Sequence, residues 1–255
     1  MFKFYDIPNY EIAEKIIGNK PTIKFSSAFD LNDPFELKFN LQIDHLAKGQ
    51  EDEYFKNFPN KTSSDFKEWQ KQINHNFLWY TEQKQRNDLS QIITLSCFTE
   101  KNQNNLMWSH YTKNHQGICV KYSNELVKRF KSLDNFLANG DVQYSEKPPL
   151  INNLEKIESK IIKMLFNKQS EWKYEKEHRI ILHSKNNVDF IEIDPKFIKA
   201  VYIGSKCETA LSREIVTKCV RNGIKVYHGI TVGKTYKVEF QKHKPNIMPM
   251  KSFWK

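Results

Sequence analysis

Short apolar runs of two different periods follow one another along this chain in no regular alternation, and that order limits the possible folds more than any other feature. Phe2 to Tyr5 is a short aromatic strand. Tyr10 to Ile17 sets Ile12, Ile16 and Ile17 on one helical face and stops at Gly18, and Thr22 to Phe25 returns to a strand. From Glu36 to Ile43, Leu37, Phe39, Leu41 and Ile43 alternate with polar residues, as in a half-buried strand. Residues 44–62 are polar and read as a loop or insertion, after which Ser63 to Gln85 has helical spacing. A strand over Ile92 to Phe98, a helix over Asn104 to Lys113 and a strand over Ile118 to Tyr122 come next, then helices over Asn124 to Leu137 and Leu154 to Phe166. The C-terminal part is denser in strands: Arg179 to His183, Val188 to Ile193, Ala200 to Gly204, Lys225 to Tyr227 and Tyr236 to Phe240, with one helix from Thr209 to Asn222 closing at Gly223. Repeated β-α-β units would give a parallel sheet. Their absence predicts an α+β fold, a central mixed sheet flanked by helices. There is no internal repeat and no Gly/Ser-rich or Pro-rich linker, so residues 1–240 read as a single domain and 241–255 as a basic tail.

A chain of 255 residues can bury a sizeable core without disulfides or a structural metal. With 8 glycines and neither G-x-x-x-x-G-K-[ST] nor G-x-G-x-x-G, phosphate loops of the P-loop and Rossmann kind are excluded. The formal charge of +10 favours a polyanionic partner such as nucleic acid. The joint richness in Lys, Asn, Ile and Phe weakens that reading, because an AT-rich genome inflates Lys whatever the partner. Cys97, Cys119, Cys207 and Cys219 form no C-x-x-C pair and read as reduced thiols. No leader-like start and no apolar run of membrane-spanning length is present, so the expectation is a cytoplasmic protein with no membrane partner.

Three segments gather polar and aromatic residues that a plain core would not place side by side. Asn32-Asp33-Pro34-Phe35-Glu36 is a capped turn that orients Glu36, or a ligand rim carrying Asn32 and Asp33. Met107-Trp108-Ser109-His110-Tyr111, continued by His115 and Gly117, is either core packing or an aromatic and imidazole wall able to stack on a flat ring. Two histidines five apart do not suit a zinc pair, so no metal is expected. In Trp172-Lys173-Tyr174-Glu175-Lys176-Glu177-His178-Arg179, entry into the following strand would project Glu175, Glu177 and Arg179 from one face. Two carboxylates so close need a cation or a raised pKa, with Arg179 as the nearest counter-ion, and such a set suits charge stabilisation at a sugar carbon or acid/base work. The plainer alternative is a solvated charge run.

Together, Phe29-x-x-Asn32-Asp33-Pro34-Phe35-Glu36, Leu95-Ser96-Cys97-Phe98 before Met107-Trp108-Ser109-His110-Tyr111-x-x-x-His115-x-Gly117, and Trp172-x-Tyr174-Glu175-x-Glu177-x-Arg179 resemble a bacterial domain-of-unknown-function family, number twenty-nine seventy-one. The resemblance runs from about Tyr5 to Gly204, with His178 where the family's usual ending has Trp. The layout is also similar to ADP-ribosyltransferase-like folds, whose sheet is split and whose key Glu comes late. That similarity implies NAD as substrate. Glu177 would hold the ribose hydroxyl and stabilise an oxocarbenium-like centre, with Glu175 as its partner. Tyr5 and Ser26 or Ser27 would line the pocket. Trp108, His110, Tyr111 and His115 would stack on or hydrogen-bond the dinucleotide, alongside Asn32, Asp33 and Arg179. The implied role is a toxin-type or phage-defence effector acting on nucleic acid or protein, with a cognate antitoxin or neighbouring-gene product as a partner. The alternatives are a nuclease or hydrolase using His110, His115 and the two glutamates, with or without a divalent metal, and a non-catalytic nucleic-acid-binding module.

Overall fold

A computed structural model describes residues 1–44, 46–233 and 235–244. In chain order its elements are β1 (Phe2–Tyr5), α1 (Tyr10–Ile17), β2 (Thr22–Ser26), β3 (Asn40–Gln42), α2 (Gln50–Asn57), α3 (Ser63–Gln72), α4 (His75–Ser90), β4 (Ile93–Thr99), α5 (Asn105–Tyr111), β5 (Ile118–Tyr122) and α6 (Glu125–Lys131). Then come β6 (Phe136–Asp141), β7 (Gln143–Ser145), β8 (Leu150–Asn152), α7 (Ile157–Leu165), β9 (Asn167–Gln169), β10 (Glu177–His183), β11 (Val188–Glu192), β12 (Ile198–Ile203), α8 (Thr209–Arg221), β13 (Lys225–Thr231) and β14 (Val238–Lys242). The fold is α+β in one domain, built on a large mixed sheet in the order β11-β2-β4-β1-β5-β12-β13-β14, with β10 on the other edge of β4 and β6 beyond β10. Only β12 and β13 run parallel within it, which a crossover through α8 makes possible.

The sheet is split at β4. One edge of β4 pairs with β10 along its whole length, from Glu177 opposite Thr99 to His183 opposite Ile93. The other edge is shared by two strands that each pair with it at one position: Phe2 of β1 opposite Thr99, and Ser26 of β2 opposite Leu95. Between those contacts β1 and β2 part, leaving a notch over Cys97. The two sheet faces carry separate cores. Phe25, Phe98, Val120 and Val201 pack under α1, α6 and α8, whereas Leu95 and Ile181 pack under Leu37, Phe39, the end of α4 and α7.

Several expected elements differ. The strand expected over 36–43 shrinks to Asn40–Gln42, because Leu37 adopts a left-handed φ of 60° within a turn over residues 33–38. Residues 44–62 are not wholly loop: α2 forms and buries Tyr54 against Phe66 and Trp69. The helix expected over 63–85 breaks at Ile73, and Asn74 starts α4 by accepting from the Phe77 amide at 3.0 Å. The helix expected from Asn124 to Leu137 ends at Lys131, because Phe136–Asp141 is taken up as a strand beside β10. Glu175 closes a 3₁₀ turn, Ser170–Glu175, rather than opening the strand, and Lys176 turns the chain with φ 46°. Of the expected tail, Gln241 and Lys242 complete β14, and residues 245–255 lie outside the described ones.

Candidate functional site

The notch in the sheet opens into a cavity of about 350 Å³, a volume at the low end for ligand pockets. Its walls come from β1, β2 and the middle of β4, with Tyr111 and Met107 of α5 on one side. The floor is a cluster of ions: Lys168, Glu175 and Glu177 face the cavity, and Glu36 and Arg179 lie behind them.

Each ion is placed by a different element. Glu177 and Arg179 project from the same side of β10, and Arg179 is fully buried. Its guanidinium donates to Glu177 at 2.8 Å through Nε, to Glu36 at 2.6 Å through Nη2 and to the Leu165 carbonyl at 2.7 Å through Nη1. Lys168 rises from β9 and donates to Glu175 at 2.6 Å and to Glu177 at 3.3 Å, 3.7 Å from Glu36. Trp172 covers it, with the ammonium 4.6 Å from the ring centroid. Glu175 is brought beside Glu177 by the turn at Lys176, not by the pleat of a strand, and accepts a hydrogen bond from the Tyr111 hydroxyl.

Three carboxylates face two cations here, so the carboxylates cannot be equivalent. Burial raises Glu177, but Arg179 and then Lys168 outweigh burial and hold it down at about 2. For Glu175, burial wins against Lys168, and the nearby Glu177 adds to the upward shift. Glu36 is raised for the same reason, with burial dominant over Arg179. Burial also keeps the Tyr111 and Cys97 protons in place, with Glu175 and Glu177 respectively reinforcing it. The floor therefore presents one firmly ionised carboxylate beside one with a raised proton affinity, the separation that divides acid/base roles between paired groups.

Of the residues singled out from sequence, Tyr5, Ser26, Asn32, Tyr111, Glu175 and Glu177 line the cavity. Tyr5 does so with its ring, since its hydroxyl is bonded to that of Tyr122 at 2.7 Å. Arg179 acts from behind the floor. Ser27 turns away to cap Phe29 and to donate to the Ser90 carbonyl at 3.4 Å. Asp33 is buried and accepts from the Phe35 amide at 2.9 Å, the turn cap rather than a rim. Trp108 is 1% exposed, donates to the Asn102 carbonyl at 2.6 Å and lies between Phe4 and His115, so it packs below β1 and faces no ligand space. His115 stacks on Trp108 in a left-handed turn, φ 69°, and burial lowers its pKa. Gly117 belongs to the same turn because a Cβ there would lie 2.1 Å from the Tyr5 carbonyl. His110 is exposed, its ring 6.2 Å from Trp172 and 6.3 Å from Tyr174. Sequence reasoning missed Lys168, Lys3 and Cys97. Lysines carry no signal in so lysine-rich a chain, and Cys97 was visible only inside a strand motif.

No group of three or more His, Cys, Asp and Glu side chains among the described residues is placed to hold a metal ion. No helix among them is long and apolar enough to cross a membrane.

The stretch from α5 to β10 carries two of the three motifs and most of the floor. Residues 107–180 match a family model described as protein of unknown function, DUF2971. The matched region holds Tyr111, Lys168, Glu175, Glu177 and Arg179, while Glu36 and the β1 and β2 walls fall outside it. No curated protein and no solved structure matches the chain.

Proposed function

We propose that the protein breaks an N-glycosidic bond, as an ADP-ribosyltransferase-like effector using NAD as substrate. The observation that carries this reading is the unequal carboxylate pair at the bottom of a split-sheet cavity. Glu177, ionised and fixed by Arg179 and Lys168, is suited to hold a ribose hydroxyl and to stabilise positive charge developing at the anomeric carbon. The bond from that carbon to the nicotinamide nitrogen breaks, and its electron pair leaves with nicotinamide. Glu175, whose raised pKa makes it a better base, takes the proton of the acceptor as the acceptor's nucleophilic atom bonds to the carbon. Phe2, Phe4 and Phe98 supply flat apolar walls for a ring. The cavity suits one nucleoside half of a dinucleotide, with the remainder lying across the rim near Asn32. Nucleic acid or protein is the acceptor class; the charge of +10 favours the former. A toxin or phage-defence role, under control of an antitoxin-type partner, follows from the same reading.

The test is release of nicotinamide from NAD, followed by chromatography with and without candidate acceptors. The wild type should release it and Glu177→Gln should not, with circular dichroism showing the fold retained. Failure of the wild type to release nicotinamide at millimolar NAD, with every acceptor tried, would sink the proposal. Cleavage of nucleic acid that EDTA stops would point to a metal-dependent hydrolase instead.

A further inference from the structure

The cavity floor is crowded with counter-ions, whereas its opposite wall holds cations that have none. Lys3 enters from β1, and its ammonium donates to the Cys97 carbonyl at 3.1 Å, the backbone group that the split in the sheet leaves without a strand partner. It lies 5.3 Å from the Phe98 ring centroid and 5.8 Å from that of Tyr5. An ammonium has three donors, and among the described residues this is the one acceptor of Lys3. Among the described residues no carboxylate lies within ion-pair distance of Lys3 or of Lys24, which lines the same wall from β2. Burial lowers the pKa of Lys3, with the neighbouring Lys24 adding to the shift and Cys97 and Glu177 opposing it without cancelling it. Asp6 and Asp30 also face the cavity, but both are exposed at its rim.

We infer that the Lys3–Lys24 wall is a phosphate site, and that the group the cavity recognises is the 5′-phosphate of the ribose whose anomeric carbon faces Glu177. This orientation rests on the glycosyl-transfer reading; the phosphate site itself does not. Cys97 links the two ends: its carbonyl holds Lys3, and it sits on β4 opposite Arg179, two residues from the Thr99–Glu177 pair, with both Cys97 and Glu177 lining the cavity, so a ligand of one pentose can reach both. The aromatic rings that attend Lys3 take the place of a counter-ion only in part, and a phosphate would supply acceptors for its remaining protons.

Titration calorimetry of the full chain with ribose 5-phosphate, ribose and inorganic phosphate at low salt tests this without any leaving group present. Ribose 5-phosphate should bind at least tenfold more tightly than either fragment. Lys3→Met should remove that advantage while leaving ribose binding unchanged, and Lys24→Gln should weaken ribose 5-phosphate severalfold. Lys24 is exposed, so its variant keeps the test decisive if Lys3→Met does not fold, and so does loss of the preference on adding salt to the wild type. Equal binding of ribose and ribose 5-phosphate, absence of binding at millimolar ligand, or full preference retained in Lys3→Met would overturn the inference. So would inorganic phosphate binding as tightly as the sugar phosphate. Tight ribose 5-phosphate binding with no nicotinamide release from NAD would leave the phosphate site standing and remove the transferase reading. Nicotinamide release undiminished in Lys3→Met would leave the transferase reading standing and overturn the placement of the reacting ribose's 5′-phosphate on Lys3.

Discussion

Around Glu177 and around Trp108 the protein buries large side chains for opposite reasons. The Trp108 region closes on itself by packing: the indole N–H has a carbonyl, the rings of Phe4, His115 and Phe240 surround it, Gly117 lets the turn close against β1, and the one loose end is the neutral His115 Nδ1, buried without a partner among the described residues. The Glu177 region does not reach such a balance. Three carboxylates meet two cations, Glu36 keeps one oxygen without a partner, and the cluster faces a cavity instead of a close-packed neighbour. Burying charge costs several kcal/mol per ion even when it is paired, so the second region is the one that needs a reason beyond packing.

That contrast is broken or sharpened most strongly by Glu177→Gln. Loss of an ionised group aimed at developing positive charge should lower nicotinamide release by about a thousandfold or more. A variant retaining a tenth of the activity would mean the cluster is structural, like the tryptophan region.

Stability comes next. Arg179→Met leaves Glu36 and Glu177 buried against Lys168 alone and should cost about 3–5 kcal/mol in urea unfolding. Trp108→Ala should cost a similar ~3–5 kcal/mol by opening a cavity. The two differ in pH dependence. The contribution of Glu177 is fully present above its unfolded value of about 4.3 and is lost as pH falls towards about 2. The stability gap between wild type and Glu177→Gln should therefore shrink across that window, while the gap for Trp108→Ala stays level. A level gap for both would deny Glu177 its ionised state.

Glu175→Gln acts on the rate profile. Activity should rise with pH through the raised pKa of Glu175, and the variant should be slow with that limb absent. The smallest effect is expected at His110. It is exposed and outside the cavity, so His110→Ala should change stability by no more than about 0.5 kcal/mol. If that variant abolished nicotinamide release, the exposed rings of His110, Trp172 and Tyr174 would have to be part of the reacting surface.

Fold class and most of the sheet were legible in the sequence because period and capping are local signals, as in α1 and β5. β6 was lost because its apolar residues continued a helical spacing from α6, and only pairing with β10 decided for strand. Glu175 and Glu177 were legible as a pair, but the strand entry offered for bringing them together holds only for Glu177, and a left-handed Lys176 places Glu175 beside it. Lys168, the cation joining them, comes from β9, which no local pattern marks. The aromatic wall expected over Trp108 and His115 could not be told from core, since the same rings serve either use.

The most direct test of the account is a titration of the two carboxyl groups by carbon-13 NMR, assigned with the Glu175→Gln and Glu177→Gln variants. The account predicts that Glu177 stays ionised from neutral pH down past pH 4, while Glu175 takes up its proton above the ordinary glutamate range of about 4.3. If both groups titrated together near that ordinary value, the floor would hold two equivalent carboxylates and the division of roles between them would be contradicted.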